Sequence, residues 1–281
     1  MLVFEKIKDL KDHLEHIRLN QTIGLVPTMG ALHNGHLSLV TAAKQECEVV
    51  IVTIFVNPTQ FNKPEDLKNY PSNVQEDLKL LKEAQVDVVF TPSAEEIYPE
   101  EPQIHISFGA IEKQLEGKFR PGHFAGVGQV VSKLFNMIQP HTAFFGQKDL
   151  QQFYVISSLV KELNFPVTLH MVPTKREKNG LAMSSRNLRL NEKQKEEASL
   201  LHRSLTLARE SLQNNNSIAS TQNKISQLFD SSPSLELEYF EVVETTNFMP
   251  LDEIKSKTPM ALCIAAEIGG VRLIDNILLN A

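Results

Sequence analysis

Short apolar runs recur along the first two thirds of the chain and have the composition of buried β-strands. They are rich in β-branched and aromatic residues. The runs lie at residues 23–26, 49–56, 86–90, 143–145 and 167–172. Most of the stretches between them place apolar residues at helical spacing, as at 127–138 and 150–163. Strands that alternate with helices predict βαβ units and a parallel sheet that is covered by helices on both faces.

The two ends of the chain depart from this alternation. In segment 2–19 the apolar positions 4, 7, 10, 14 and 17 have helical spacing, which predicts a surface helix that packs by one face. After Pro173 the chain becomes more polar, with a glycine-containing segment at 174–187 and a charged helix at about 192–213. A polar break at 214–216 and another short helix follow.

The last part of the chain predicts a small second sheet. Residues 235–243, 260–268 and 271–274 have strand composition, and the Gly269-Gly270 turn predicts that the last two form an antiparallel hairpin. We therefore predict an α/β fold, with a Rossmann-like parallel sheet and helices on both faces in residues 1–175. Residues 176–281 are predicted to form a smaller C-terminal α+β domain.

Composition and charge narrow the possible functions. The 281 residues carry a net charge of −6, which gives no general electrostatic reason to bind nucleic acid. The apolar run at 49–56 is far too short to span a bilayer, and the charged N-terminal segment has no apolar signal core. We expect a cytoplasmic protein with no membrane partner. Cys47 and Cys263 are far apart in sequence and are expected to be small buried apolar residues.

The segment PTMGALHNGH at 27–36 directly follows the first predicted strand of the sheet. Parallel sheets bind ligands at the carboxyl ends of their strands, where loops meet helix N-termini. Backbone N–H groups at such a turn are expected to point at an anion, and Gly30 and Gly35 allow a close approach. No Gly-Lys-Ser/Thr follows, so this is not a Walker loop. Histidines take the place of the lysine as side-chain donors.

The spacing of His33 and His36 does not by itself assign a function. His13 and His16 have the same spacing within a charged amphipathic helix, where they are expected to be ordinary surface side chains. A zinc site would need a third ligand. The other histidines considered, none of which has a neighbouring ligand at a familiar spacing, are His105, His123, His141 and His170.

Five motifs occur in one order along residues 27–187 and together resemble the pantothenate synthetase family, the pantoate:β-alanine ligases of the HIGH-type nucleotidyltransferase superfamily. They are PTMGALHNGH at 27–36, FVNPTQF at 55–61, RPGHF at 120–124, FGQKDLQQ at 145–152 and GLAMSSRN at 180–187. The C-terminal third of the chain has no comparable signature. The identification therefore depends on the first two thirds.

The resemblance implies a two-step reaction that consumes ATP. The carboxylate of (R)-pantoate attacks the α-phosphorus of ATP and releases pyrophosphate. The amine of β-alanine then attacks the pantoyl adenylate and expels AMP, which yields pantothenate for vitamin B5 and coenzyme A biosynthesis. The resemblance also implies Mg²⁺, a homodimer, and a C-terminal domain that acts as a lid over an ATP- and pantoate-binding domain.

The resemblance also assigns roles to individual residues. The catalytic residues are His36, His33 and Lys148, and His36 is the position that is usually named proton donor. Pantoate is bound by Gln60 and Gln152, β-alanine by Gln60, and the metal by Asp149. The expected ATP-binding residues are Met29, Gly30, Ala31, Leu32, His33, Asn34, Gly35, His36, Gly146, Gln147, Lys148, Asp149, Lys175, Met183, Ser184, Ser185 and Arg186. Second-rank candidates near the substrates are Asn57, Tyr70, Arg120 and His123.

Three other functions stay open from the residues alone. An adenylyltransferase of the same superfamily would need a basic acceptor pocket, whereas the two glutamines are neutral. A metal-dependent hydrolase would use the histidines as ligands, and a nucleotide-binding regulatory module would lack turnover. The chain also departs from the family pattern at Ser72, Gln129, Lys175 and Asn179, and Gln129 is expected to add bulk near the substrates.

Overall fold

Six parallel strands form the central sheet of the computed structural model, which describes residues 1–254 and 257–279. The strands are β1 (Leu2–Phe4), β2 (Ile23–Thr28), β3 (Val49–Ile54), β4 (Val88–Phe90), β5 (Thr142–Gly146) and β6 (Thr168–Val172). They lie in the order β1-β4-β3-β2-β5-β6. The chain runs outward from β2 to β4 and then returns to β5 on the other side of β2. Strand order reverses there, so the loops at the carboxyl ends of β2 and β5 leave a crevice.

Helices cover both faces of this sheet. They are α1 (Ile7–Ile17), α2 (Asn34–Glu46), α3 (Pro64–Lys68), α4 (Val74–Glu83), α5 (Ala94–Ile97), α6 (Leu115–Phe119), α7 (His123–Ile138) and α8 (Leu150–Glu162). One apolar cluster joins the sheet to α1, α7 and α8, and another joins it to α2 and α4. The predicted α/β fold is confirmed. In the described part of the chain, no helix is both long enough and apolar enough to cross a membrane.

A second, antiparallel sheet follows in the C-terminal part. Its helices are α9 (Glu192–Ala198), α10 (Leu200–Gln213) and α11 (Ile218–Asp230), and its strands are β7 (Leu235–Glu244), β8 (Met260–Ile268) and β9 (Val271–Leu279). The strands pair in the order β7-β8-β9, and α10 and α11 pack on them through a separate apolar core. The predicted hairpin of β8 and β9 is confirmed, with Ile268 opposite Val271.

Two predictions about secondary structure are wrong in part. Residues 2–4 form a strand paired with β4, and the helix begins only at Ile7. Three residues cannot show a period, so the position of Phe4 matched the helical spacing by chance. The charged helix at 192–213 is interrupted at Ser199, because the hydroxyl and the backbone N–H of Ser199 both donate to the carbonyl of Glu196.

The two sheets are connected by a buried apolar cluster, which we call the shared cluster. Its members from the first part of the chain are Ile111, Leu115, Phe124, Leu150 and Val155, and those from the second part are Val243, Phe248, Ala261 and Cys263. Cys47 and Cys263 are free and buried, as predicted. The smaller unit is therefore packed against the larger one through side chains that water does not reach.

Candidate active site

A cleft of about 210 Å³ opens where strand order reverses, at the carboxyl ends of β2 and β5. Most of the predicted site residues line it: Met29, His33, Gly35, His36, Gln60, Gly146, Lys148, Asp149, Gln152, Lys175, Met183, Ser184, Ser185 and Arg186. The second-rank candidates Asn57, Tyr70, Arg120 and His123 line it too. Five predicted ATP-binding residues are not part of its lining: Gly30, Ala31, Leu32, Asn34 and Gln147.

Asp77 of α4, which the sequence did not single out, fixes the turn after β2. Its carboxylate is 2% exposed and accepts hydrogen bonds from the backbone N–H groups of Ala31 (2.9 Å) and Leu32 (2.7 Å). The prediction that the backbone N–H groups of this turn bind an anionic ligand is wrong for Ala31 and Leu32, because both already donate to the carboxylate of Asp77. Gly30 is in the left-handed region at φ 82°, and a Cβ there would lie 2.9 Å from Oδ2 of Asp77.

His33 and His36 cap the N-terminus of α2. Nδ1 of His33 accepts a hydrogen bond from the N–H of Gly35 (3.1 Å), and Nδ1 of His36 accepts one from the N–H of His33 (3.3 Å). A Cβ at Gly35 would lie 2.7 Å from Cε1 of His33, so a side chain there would push the ring out of this position. Since each Nδ1 is an acceptor, each ring carries its proton on Nε2. Both rings line the cleft and retain an Nε2–H that can donate to a ligand.

The two imidazoles are neutral at pH 7. Burial, followed by the charge of Lys148, lowers the pKa of His33 to about 4. Burial, with further contributions from His33 and Lys148, lowers the pKa of His36 to about 3. The cleft therefore offers two neutral N–H donors beside the cation of Lys148.

The turn after β5 supplies that lysine. Nζ of Lys148 lies 3.3 Å from Oδ1 of Asp149, whose side chain is 48% exposed, and α8 begins at the next residue. The structure places the side chain of Gln147 on Asn276 of β9 instead of in the cleft, because its Nε2 donates to Oδ1 of Asn276 (3.2 Å). Asn276 is a further residue of the site that carried no signal in the sequence.

A polar network orients Gln60 at another part of the cleft. Asn57 is 1% exposed and donates from Nδ2 to Oε1 of Gln60 (3.1 Å) and to the carbonyl of Gly126 (3.2 Å). The hydroxyl of Tyr98 donates to the other side of the Asn57 amide (2.9 Å). Asn57 holds Oε1 of Gln60, which fixes the direction of the Gln60 amide. Its Nε2 lies 3.2 Å from the sulfur of Met29, a weak acceptor, and can donate to a ligand.

Arg120 and His123 support the same region from the start of α7. Nδ1–H of His123 donates to the backbone carbonyl of Gln60 (2.9 Å), and Nε2 accepts from Arg120 (3.1 Å). Burial, followed by the charge of Arg120, lowers the pKa of His123 to about 3, so this histidine is also neutral. His123 thus acts on the cleft through the backbone of Gln60.

A buried carboxylate beside Arg120 joins the two units of the chain. Glu116 of α6 accepts two hydrogen bonds of 2.7 Å from Arg272 of β9 and one of 2.8 Å from the hydroxyl of Tyr239. Burial acts to raise the pKa of Glu116, but the hydrogen bonds and charge of Arg272 outweigh it and lower the pKa to about 2. The ionised carboxylate is therefore a fixed partner for the cation from the smaller unit.

The segment that carries Ser184, Ser185 and Arg186 closes another side of the cleft. The hydroxyl of Ser185 donates to the carbonyl of Ala31 (3.0 Å), which ties this segment to the turn after β2. Arg186 donates to Asp66 of α3 (2.9 Å) and lies over the ring of Tyr70. The arginine is thus held at the edge of the cleft by groups of the protein.

The four departures from the family pattern lie in different surroundings. The prediction that Gln129 adds bulk near the substrates is wrong. Its Nε2 donates to the carbonyl of Ile104 on an outer surface (3.2 Å), so the side chain does not crowd the cleft. Asn179 supports a turn by accepting from the N–H of Leu181 (3.1 Å). Ser72 is exposed, and Lys175 lines the cleft.

In the described part of the chain, the histidines are not grouped with other metal-ligating side chains. Among residues 1–254 and 257–279, no group of three or more His, Cys, Asp or Glu side chains is placed to hold a metal ion. A metallohydrolase site built on the histidines would need about three protein ligands, and this arrangement does not supply them.

The chain is similar to proteins of one family along nearly its whole length. The family model described as Pantoate-beta-alanine ligase matches residues 2–278. Pantothenate synthetase of Cytophaga hutchinsonii is 44% identical over 281 residues, with 99% of each chain covered. That of Leptospira biflexa is 45% identical over 279 residues, with 98% of each chain covered.

Solved structures of this family have the same fold. Pantothenate synthetase from Thermus thermophilus superposes with a TM-score of 0.93 at 38% identity, with 99% of each chain covered. Pantoate-beta-alanine ligase from Francisella tularensis, complexed with beta-gamma ATP and beta-alanine, superposes with a TM-score of 0.84 at 39% identity. It covers 99% of this chain and 97% of the other.

Proposed function

The chain belongs to the pantoate-beta-alanine ligase family, and from this premise we propose that its cleft joins (R)-pantoate to β-alanine at the expense of ATP. A pantoate carboxylate oxygen bonds to the α-phosphorus as the bond to pyrophosphate breaks. The β-alanine nitrogen then bonds to the carbonyl carbon of the adenylate as AMP leaves. One observation carries the assignment of the site: two strand-to-helix turns with phosphate donors meet at one crevice beside two neutral glutamines.

His33, His36 and Lys148 form the phosphate end of this site. Two neutral Nε2–H donors can bind phosphate oxygens without the cost of keeping imidazolium ions buried. Lys148 supplies the positive charge that stabilises the departing pyrophosphate. Each ring donates its Nε2–H as a hydrogen bond to a phosphate oxygen on which charge develops. A neutral imidazole that gave this proton away would become an imidazolate, so we assign His36 to charge stabilisation and not to proton transfer.

Ser184, Ser185, Arg186 and Lys175 complete the nucleotide site. Arg186 gives a hydrogen bond from Nη2 to Asp66 and retains further guanidinium N–H donors that can bind phosphate. The turn at 29–36 contributes shape and the two histidines, whereas the amides of Ala31 and Leu32 serve Asp77.

Gln60 and Gln152 form the end that binds pantoate, and Gln60 also reaches β-alanine. An amide group that donates and accepts suits a substrate with hydroxyl and carboxylate groups. The neutrality of these residues disfavours an adenylyltransferase that transfers AMP to a phosphate, which would need cations at the acceptor position.

Asp149 is proposed to hold Mg²⁺ together with the nucleotide. Its carboxylate is half exposed beside the phosphate end, which fits an ion that is bound by one or two carboxylates and by substrate phosphates. When bound, Mg²⁺ neutralises charge on the triphosphate. Lys148 orients this carboxylate through their 3.3 Å contact.

Pantoate-dependent exchange of labelled pyrophosphate into ATP, measured without β-alanine, tests the proposal. We expect exchange in the intact protein and a loss of at least roughly 100-fold in His36→Ala. His16→Ala is the matched control, because His16 has the same His-x-x-His spacing but lies exposed on α1, and it should exchange like the intact protein. AMP formation that requires both substrates, with no exchange, would overturn the adenylate route.

The division into residues 1–175 and 176–281, with the smaller unit over the cleft, is part of the same proposal. The shared cluster limits how far the smaller unit can open, because separation would expose buried apolar side chains. Movement at the cleft is therefore expected chiefly in the segment 183–186 and in α3.

A cytoplasmic location stays a prediction.

A homodimer is proposed through the segment 101–108. Ile104 is 75% exposed and Leu163 is 56% exposed, and both line one groove with this segment. An exposed apolar groove can be covered by the same surface of a second copy across a twofold axis. Sedimentation should give twice 31.6 kDa for the intact protein and a monomer for Ile104→Glu. Leu19→Glu, at an exposed leucine elsewhere, is the control, and a monomeric intact protein would contradict the proposal.

A further inference from the structure

Asn276 of β9 reaches from the smaller unit into the turn that carries Lys148. It is 3% exposed, and its Nδ2 donates to the backbone carbonyls of Gln147 (3.0 Å) and Lys148 (2.9 Å). Its Oδ1 accepts from the side chain of Gln147 (3.2 Å). One amide group thus makes three of the four hydrogen bonds open to it, all with two consecutive residues of the turn.

Asn276 is itself held in place by a chain of charged groups. Its backbone N–H donates to Oδ1 of Asp275 (2.8 Å), and Asp275 is paired with both terminal nitrogens of Arg176 (2.6 and 3.0 Å). Such a two-point pair fixes direction as well as distance. The network runs from Arg176, next to the cleft-lining Lys175, through β9 to the carbonyl of Lys148.

We infer that Asn276 is a positioning residue for the first step of the reaction: it fixes the backbone of Lys148 so that the ammonium group meets the phosphates of ATP. This inference depends on the proposed function of the cleft. The smaller unit then contributes to the first step by positioning Lys148, in addition to covering the site. A displacement of about 1 Å in a reacting group can cost about 100-fold in rate, so an anchor of this kind has a measurable effect.

The isosteric substitution Asn276→Asp separates the donated hydrogen bonds from shape. An aspartate fills the same volume and can still accept from Gln147, but it places a carboxylate oxygen against two carbonyl oxygens. Asn276→Ala removes all three bonds. Leu278→Ala is the matched control, because Leu278 lies two residues along β9, packs on the shared cluster and therefore loosens the same interface without the contact to the turn.

Two half-reactions and ATP affinity serve as readouts. We expect Asn276→Ala and Asn276→Asp to slow pantoate-dependent pyrophosphate exchange at saturating ATP by about 10- to 100-fold. Amide formation from preformed pantoyl adenylate and β-alanine does not involve the triphosphate and should change by less than about threefold. Leu278→Ala should leave the ratio of the two half-reactions at its value in the intact protein. A parallel loss of both half-reactions in the Asn276 variants would overturn the inference.

A double-mutant cycle with Lys148→Ala gives a second, independent test. If Asn276 acts through Lys148, then Asn276→Ala weakens ATP binding when Lys148 is present. The same substitution changes ATP binding little in a protein that already carries Lys148→Ala. Equal effects in both backgrounds would refute the role. Calorimetric binding of ATP needs no turnover, so the cycle tests the link between Asn276 and Lys148 separately from the reaction. Absence of pyrophosphate exchange in the intact protein would refute the proposed function.

Discussion

Removal of the Asp77 carboxylate should release the turn that carries the two histidines of the cleft. The carboxylate accepts two hydrogen bonds from buried backbone amides, and a hydrogen bond to a charged group contributes about 1.5–3 kcal/mol. Burial raises the pKa of Asp77 more than the two amides lower it, so the ionised carboxylate itself gains little. The cost of its removal is that two buried amides lose their acceptor. We expect Asp77→Ala to destabilise the protein by about 3–5 kcal/mol and Asp77→Asn, which keeps one acceptor oxygen, by about 1.5–3 kcal/mol.

The turn itself gives a reason why function should suffer with stability. Ala31 is in the left-handed region at φ 50°, a conformation that costs about 1 kcal/mol or more and persists only while its surroundings hold it. Without Asp77 the turn can relax, and Ser185 loses its fixed acceptor, the carbonyl of Ala31. The KM for ATP in pyrophosphate exchange should therefore rise in Asp77→Asn, which is the milder variant.

Urea unfolding followed by circular dichroism measures the stability term, since the chain has no tryptophan. Glu76→Gln is the matched control, because Glu76 is the preceding residue of α4, is exposed and lies only within 4.0 Å of Lys79. Its effect should stay below about 0.5 kcal/mol. The reasoning would be refuted if the unfolding free energy of Asp77→Ala were within about 1 kcal/mol of that of the intact protein and the KM of Asp77→Asn for ATP were unchanged.

Two further predictions concern buried ionisable groups. Between pH 7 and 5.5 the free energy of unfolding should fall by about 1.2 kcal/mol for each of His33, His36 and His123. Each has a folded pKa below its unfolded value and takes up a proton only on unfolding. Urea unfolding at both pH values checks this, and equal stabilities would contradict it. Arg272→Met should cost about 3–5 kcal/mol at pH 7, because buried Glu116 loses its two charged hydrogen bonds and keeps only Tyr239 and the more distant Arg120. A loss below about 1 kcal/mol in the same assay would show that the pair is not needed.

Local pattern predicted the larger elements because each of them carries its own signal. The runs that became β2, β3 and β5 are long or β-branched, and α7 and α8 repeat their apolar positions over several turns. Leu2–Phe4 could not be found in this way, because a three-residue strand is defined by its partner β4 and not by its own period. The break at Ser199 depends on hydrogen bonds that this one residue makes to the carbonyl of Glu196.

The site was predictable where motifs carry its side chains and unpredictable where a distant residue fixes them. Asp77 lies in the first turn of α4, where an acidic residue is ordinary, and its partners are about 45 residues earlier in the chain. Asn276 lies in a strand with no motif, and its hydrogen bond to Lys148 spans 128 residues. Such residues become visible only once the fold brings the two segments together.

The hydrogen bonds of Asn276 also set the order in which the active site can be completed. Asn276 can make these contacts only after both sheets have formed, because it lies in β9 of the second sheet and the turn at Lys148 follows β5 of the first. During synthesis the large sheet can fold before β9 has been made, but the turn at Lys148 then has no anchor. Recovery of ATP-dependent exchange should therefore lag behind recovery of secondary structure on refolding, and an incomplete chain that lacks β9 should be unable to start the reaction.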